Sequence, residues 1–474
     1  MKFVEKKACF GVVVGTRGFF NPVLSGSARK ELLESLEALS IDYVIAPDEA
    51  TPHGAVETLE HARIYANLFR QNAERIDGIL VILPNFGDEL GIVQTLDLAK
   101  LNVPVMVQAC NDEVDKVDVF SRRDAFCGKI SVCNNLYQYG IPFTDTTSHT
   151  CDIKSAEFQS DLKRFSAICR TVKGLSSARI GAIGARPAAF QTVRYSEKIL
   201  QSYGITVIPV DLSEIFAAAE KFDDEAQKVR EKLAEIKDYG SIPSRIPEEQ
   251  IVRQTKFSVA VNDWMESNEC VASAIQCWTS MQDNYGCASC LTMSMMGEHS
   301  MPSACEVDIT GAVSMYALLL ASGNSPGFLD WNNNYGSEEN KCVNTHCSNF
   351  PKSFMGVTPE IADLVILGET LGREYCFGAV KGKVASGPMT YFRISTDDQQ
   401  GKIKSYLGEG EFTDDPFNMD GGIAVCKVPE LRKLLAHICQ NGFEHHVAMV
   451  RGQVAEILDE SIGKYLRWDI FYNR

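Results

Sequence analysis

The chain has 474 residues, 45% hydrophobic and 23% charged, with a formal net charge of -16; these are globular proportions, and the length suggests about three ordinary domains. The acidic balance and the lack of any Lys/Arg-rich cluster exclude nucleic acid and an anionic membrane as partners, because both demand a basic face. Sixteen cysteines are scattered, several in apolar runs (Cys9, Cys110, Cys305, Cys426), and read as reduced thiols of a cytoplasmic protein rather than the disulfide framework of a small secreted one. Met1 to Lys7 lacks a signal-type apolar stretch, and no later apolar run is long enough to span a bilayer.

Short apolar runs alternate with amphipathic stretches from the start. Ala8 to Val14 reads as a strand, Ala28 to Leu39 as a helix, Tyr43 to Ala46 as a strand and Val56 to Asn72 as a helix. Gly78 to Leu83 and Val103 to Ala109 are two more buried strands with a helical stretch between them. Such alternation predicts a parallel, doubly wound sheet, whose ligands bind beyond the carboxyl ends of the strands. Gly15 to Asn21 and Pro84 to Gly87 fall at that edge.

A second βαβ unit runs from a strand at Ala178 to Gly184, through a helix over Thr192 to Tyr203, to a strand at Ile205 to Val210. Asp223 to Asp238 is helical in period, Ser241 to Pro247 is a turn or linker, and helical patterns follow from Glu248 towards Cys277 and from Gly311 to Leu320. After about Gly323 the texture changes: Gly, Asn and Asp turns separate short runs such as Val380 to Val384, Met389 to Ile394 and Gly422 to Val428, which is antiparallel β texture. The expected architecture is therefore α/β: two doubly wound parallel-sheet domains (1–165 and 166–322) followed by a β-rich, antiparallel, barrel-like C-terminal domain (323–474). There is no solenoid repeat and no low-complexity tract.

Two acids sit in unusual company. Glu306 lies in Ala304-Cys305-Glu306-Val307-Asp308, and Asp330 in Phe328-Leu329-Asp330-Trp331-Asn332. A carboxylate among Cys, Leu, Val and Trp carries a large desolvation penalty unless a cation or strong donors offset it. The bland readings are helix capping for the first, a role better suited to Asp308 or Thr310, and an Asx-type turn for the second. His446 opens an apolar strand in Glu444-His445-His446-Val447-Ala448-Met449. Two carboxylates and an imidazole make a hard donor set that suits Mn²⁺ better than Zn²⁺. Cys287-Ala288-Ser289-Cys290 is a weak zinc signal without a second CxxC pair. No GxSxG elbow, GxGxxG dinucleotide loop or Walker motif occurs.

At these residues the chain resembles the L-fucose isomerase-like family, metal-dependent aldose–ketose isomerases related to L-arabinose isomerase. Cys305-Glu306-Val307-Asp308 is similar to the segment carrying the family's first metal carboxylate, Asp330 to its second, and His446 to its C-terminal ligand. The resemblance implies Mn²⁺, with Mg²⁺ or Co²⁺ as substitutes, held by Glu306, Asp330 and His446, and an open-chain sugar interconverted through an enediol or by hydride shift, with Glu306 and Asp330 moving the proton. It implies that Arg17 reaches the sugar site of a neighbouring subunit in a homo-oligomer, a trimer or hexamer with sites at subunit interfaces, and that His346 is a further ligand or a substrate contact; His445 stays open as a ligand. Trp278 and Trp331 are candidates for the apolar face of a sugar pocket. The substrate is of the L-fucose or L-arabinose type, or sulfoquinovose, whose sulfonate Arg17, Arg122 or Arg123 would suit. The alternative is a sugar-binding or sensory α/β protein without catalysis, which would not need the acid and histidine set.

Overall fold

The computed structural model describes residues 6–347 and 349–474, so Met1 to Glu5 of the N-terminal segment considered above lie outside the described residues. The chain divides into two compact units, one extending to Lys173 and taking in Lys464–Leu466, the other comprising Gly174–Gly463 and Arg467–Arg474.

In the first unit β1 (Cys9–Val14), β2 (Asp42–Val44), β3 (Gly78–Leu83), β4 (Val105–Ala109) and β5 (Thr144–Asp145) form a parallel sheet in the order β2-β1-β3-β4-β5. β1, β3 and β4 are buried along their whole length, which is why they read as continuous apolar runs rather than alternating ones. Their side chains alternate between two cores: Val13, Val81 and Val107 enter one, while Val12, Val14, Leu80 and Met106 enter the other. The helix Leu59–Gln71 starts at a Thr58 capping box, and Asp88 caps Glu89–Ala99 by accepting from the Gly91 N–H; each cap is worth about 1 kcal/mol. The loops after β1 and β3 meet at the carboxyl edge, where Asn85 Nδ2 donates to Thr16 Oγ1 at 3.0 Å.

The second unit holds two sheets. β6 (Arg179–Ile183), β7 (Thr206–Val210), β8 (Ala272–Ile275) and β9 (Ser303–Cys305) are parallel, in the order β7-β6-β8-β9. The helix expected from Glu248 towards Cys277 instead ends at Ser267. Glu269 takes a left-handed backbone, φ +53°, which stops helical propagation, and the small, apolar Ala272–Ile275 becomes an interior strand. The helix expected over Thr192 to Tyr203 shrinks to Glu197–Ser202, because Ser196 caps it from the Ile199 N–H.

The other sheet has ten strands: β10 (Gly327–Asp330), β11 (Asn333–Asn334), β12 (Lys341–His346), β13 (Glu360–Asp363), β14 (Phe377–Lys383), β15 (Gly387–Asp397), β16 (Lys402–Phe412), β17 (Gly422–Lys427), β18 (His446–Arg451) and β19 (Asp469–Asn473). Its main path is β10-β18-β15-β16-β17-β12-β11, with β13 and β14 beside β17, and β19 beside β16. Most pairs are antiparallel; β14 with β17 and β16 with β19 are parallel. The sheet curls until its ends approach: Asn344 Nδ2 on β12 donates to the Asp330 carbonyl on β10 at 2.8 Å. The fold is thus α/β with a β-rich C-terminal region. Among the described residues no helix is long and apolar enough to cross a membrane.

Candidate metal centre

Cys305 ends β9, and the next two residues, Glu306 and Val307, have φ of +54° and +56°. Left-handed backbone at a residue other than glycine costs of order 1–3 kcal/mol, more stubbornly at a β-branched one. This turn seats Glu306, only 3% exposed, and places Asp308 at the N-cap of the helix Ile309–Ser322, where Oδ1 accepts from the Gly311 N–H at 2.8 Å. Capping therefore belongs to Asp308 and does not account for Glu306.

The other members arrive on the curled sheet. β10 and β18 pair antiparallel with Asp330 directly opposite His446, and β12 ends on His346, opposite Gly422. The four side chains converge. His346 Nε2 lies 3.6 Å from Glu306 Oε2 and 4.0 Å from Asp330 Oδ1; His446 Nε2 lies 3.6 Å and 3.5 Å from the same two oxygens. Glu306 Oε2 and Asp330 Oδ1 are buried and have no hydrogen-bond partner, so Asp330 makes no Asx turn through that atom. Orphaned buried carboxylate oxygens cost several kcal/mol unless something satisfies them. Donor atoms about 2.1 Å from a common ion lie roughly 3–4 Å from one another, the spacing seen here. Glu306, His346 and His446 form one group able to hold an ion, and Asp330, His445 and His446 another. The residues present fit a divalent metal.

Behind the centre is a buried charged scaffold. His446 Nδ1 lies 2.8 Å from Asp308 Oδ2, and Arg393, fully buried on β15, clamps Asp308 through Nη1 at 2.7 Å and Nη2 at 2.9 Å. Glu444 Oε1 lies 3.2 Å from Arg393 and accepts from Ser395 Oγ at 2.9 Å. With Nδ1–H donated to a carboxylate, the His446 tautomer leaves Nε2 as the lone pair facing Glu306 and Asp330. Burial alone would raise the Glu306 carboxyl, but the adjacent His346 and His446 imidazoles and the Trp278 N–H outweigh it and hold it at about 2. Burial would likewise lower His446; the Asp308 hydrogen bond and charge, with Asp330 and Glu306, outweigh it and raise it. His346 is raised for the same kind of reason, by Cys347, Asp330 and Glu306 against burial.

The remaining expected residues divide. Trp278 joins the centre, its Nε1 donating to Glu306 Oε1 at 3.4 Å, and Phe190 stands edge-on to it with ring centroids 5.4 Å apart and 5.7 Å from His445. Trp331 does not: it donates to the Tyr406 hydroxyl at 3.0 Å and packs edge-on against Tyr391, since neighbours in an extended chain face opposite sides. Arg17 belongs to the first unit, where it pairs with Glu89 and lies 4.2 Å over the Phe86 ring. In that unit Arg123 Nη1 donates to the Pro84 carbonyl at 2.9 Å, and Arg122 lies near Asp124. Among the described residues neither Cys287 nor Cys290 enters a group of three side chains able to share an ion. Sequence reasoning missed Phe190, Arg393 and Glu444; the arginine was signalled by its place inside the apolar run Tyr391-Phe392-Arg393-Ile394.

Comparison with known proteins gives two family matches. Residues 11–176 match the fucose/sulfoquinovose isomerase N-terminal domain, and residues 344–473 match the L-fucose isomerase C-terminal domain. His346 and His446 lie within the second match, while Glu306 and Asp330 fall in the stretch between the two. Similar curated relatives include sulfoquinovose isomerases of Priestia aryabhattai and Priestia megaterium, each 27% identical over 89% of this chain and 90% of the relative. Another, from Alkalicoccus urumqiensis, is 28% identical over 64% of this chain and 67% of its own length.

Proposed function

We propose, for a chain that belongs to the L-fucose isomerase-like family and is an aldose–ketose isomerase, that the reaction is metal-dependent, runs through an enediol, and acts on sulfoquinovose. The observation that carries the metal reading is the convergence of two imidazole Nε2 atoms on two buried carboxylate oxygens that lack any hydrogen bond. The sulfonated substrate is supported by the names of the relatives, which align over most of their length.

Glu306, His346, His446 and Asp330 would hold the ion, and Mn²⁺ suits this oxygen and imidazole set. When bound, the metal would supply Lewis acidity that polarises the carbonyl of the open-chain sugar and makes the C–H beside it more acidic. Asp330 is the better placed acid to meet substrate, its side chain 22% exposed against 4% for Glu306. In the aldose-to-ketose direction it takes the proton from C2, the C–H electrons form the C1=C2 bond, and the C1=O π electrons move to O1, which takes a proton from solvent, giving the enediol. The proton then returns to C1 while O2 loses its own and becomes the ketone oxygen, so the two forms differ only in proton positions. Glu306 shares the hard end of the site, and Asp308 fixes the His446 ring. Trp278 and Phe190 supply apolar surface against which a sugar face can lie. Arg17, from a neighbouring subunit of a homo-oligomer, is our candidate for the sulfonate.

The test is a panel of aldoses, including sulfoquinovose, L-fucose and L-arabinose, assayed for ketose with added Mn²⁺ and after chelation. The proposal expects sulfoquinovose to be converted fastest and chelation to stop turnover. Metal-independent turnover would overturn the mechanism; binding of the sugars without ketose formation would favour a sugar-binding protein.

A further inference from the structure

The buried surface beside Glu306 is rich in thiols. Cys277 follows β8 and Cys305 ends β9, adjacent parallel strands paired through Ile275 and Cys305, so both thiols emerge at the same carboxyl edge. They are 2% and 0% exposed, and their sulfurs and one Glu306 carboxylate oxygen all lie within 4.8 Å of one another. Cys290 Sγ lies 3.7 Å from the Cys347 carbonyl. Neither Cys277 nor Cys305 belongs to the oxygen and imidazole cluster. Glu306 is a member of both groups, and its Oε2 is buried without a hydrogen-bond partner.

We infer that Cys277, Cys305 and Glu306 form a second, thiophilic cation site for a soft divalent ion of the Zn²⁺ or Cd²⁺ class, separate from the hard-metal centre but joined to it through Glu306. Metal–sulfur bonds of about 2.3 Å set two sulfurs roughly 3.8 Å apart, which the present spacing reaches with small side-chain movements. Thiolate selects soft ions, whereas the carboxylate and imidazole set next to it suits Mn²⁺. Binding replaces two S–H bonds by two metal–sulfur bonds and releases both protons to solvent, with no change of oxidation state. A soft ion held there draws Glu306 away from the hard centre. Thiophilic ions therefore act as antagonists of the hard metal, a consequence that rests on the metal reading above, while the thiol site itself does not.

The experiment titrates Cd²⁺ into the full-length, metal-stripped protein and follows thiolate-to-cadmium absorption in the ultraviolet. It uses a Cys127→Ala/Cys439→Ala background, which removes the two exposed thiols. One equivalent of Cd²⁺ should saturate the band. Cys277→Ala or Cys305→Ala, added singly, should cut its amplitude by about half and weaken Cd²⁺ binding at least tenfold. No band in the background protein, which requires no buried substitution, would overturn the proposal, and so would an undiminished band in both folded single variants. Saturating Mn²⁺ should weaken Cd²⁺ binding through the shared Glu306. A one-equivalent band that Mn²⁺ leaves untouched would support the thiol site and count against the hard-metal reading instead.

Discussion

His446 Nδ1 and Asp308 Oδ2 lie 2.8 Å apart, both essentially excluded from solvent, so the imidazole that faces the carboxylate cluster is held from behind by an acid that also caps a helix. Asp308 is itself clamped by the fully buried Arg393, whose attraction, opposing the effect of burial, keeps its carboxyl well below the usual range. Such outer partners commonly set metal affinity by 10- to 100-fold. Asp308→Asn, which keeps the volume but removes the charge, should weaken Mn²⁺ binding by about that factor in calorimetric titration. Its thermal midpoint should also fall, because Arg393 loses one of its two buried acids. An unchanged Mn²⁺ affinity in a folded Asp308→Asn protein would show that the His446 ring needs no such support.

The pH dependence follows from the same charges. Glu306 and Asp308 are depressed from 4.5 and 3.8, so their contribution to stability is present above those values and is lost as pH falls through the folded ones. His346 and His446 are raised from 6.5; their contribution is fully present below 6.5 and fades as pH climbs through the raised values. Metal-free protein should therefore be most stable between about pH 4.5 and 6.5 and lose thermal midpoint towards alkaline pH. Mn²⁺ should reverse that alkaline decline, because it binds neutral imidazoles and its affinity grows as their protons leave. A metal-free midpoint that rises from pH 6.5 to 9 would contradict these assignments.

Gly311 tests how closely the helix must approach the centre. A Cβ there would come within 2.5 Å of the Phe328 ring and 2.9 Å of Arg393 Nη1, and the Phe328 and His446 ring centroids are 4.8 Å apart, with the rings tilted. Gly311→Ala should cost about 1–3 kcal/mol in urea unfolding despite the better helix propensity of alanine. A gain in stability would mean that the crowding is relieved without cost.

Phe190 covers Trp278 and His445 but carries no chemistry of its own. Phe190→Ala should raise KM by about tenfold, the equivalent of losing roughly 1–2 kcal/mol of apolar contact, with a much smaller effect on kcat. Steady-state kinetics with the sugar identified by the panel would check this, and a loss confined to kcat would place Phe190 in the reacting geometry instead.

The first sheet was legible because β1, β3 and β4 are buried on both faces and so write themselves as unbroken apolar runs. β8 and β9 were not, being only four and three residues long, and β8 follows a helix whose end depends on one left-handed residue, Glu269. Glu306, Asp330 and His446 stood out through local contrast, acids and an imidazole in apolar company. Their scaffold did not. Arg393 and Asp308 are 85 positions apart, and nothing in either segment names the other. Trp331 shows the opposite error: adjacent to Asp330 in sequence, it is on the other side of the chain, bound to Tyr406.

The central claim is that the convergence of Glu306, Asp330, His346 and His446 holds the ion that isomerisation requires. The most direct measurement is Mn²⁺ content and ketose formation in chelator-stripped protein resupplied with Mn²⁺, comparing the parent chain with Glu306→Gln. One Mn²⁺ per chain and restored turnover are expected in the parent, with both lost by at least about 100-fold in a folded Glu306→Gln protein. Undiminished turnover in that variant after metal stripping would contradict the account.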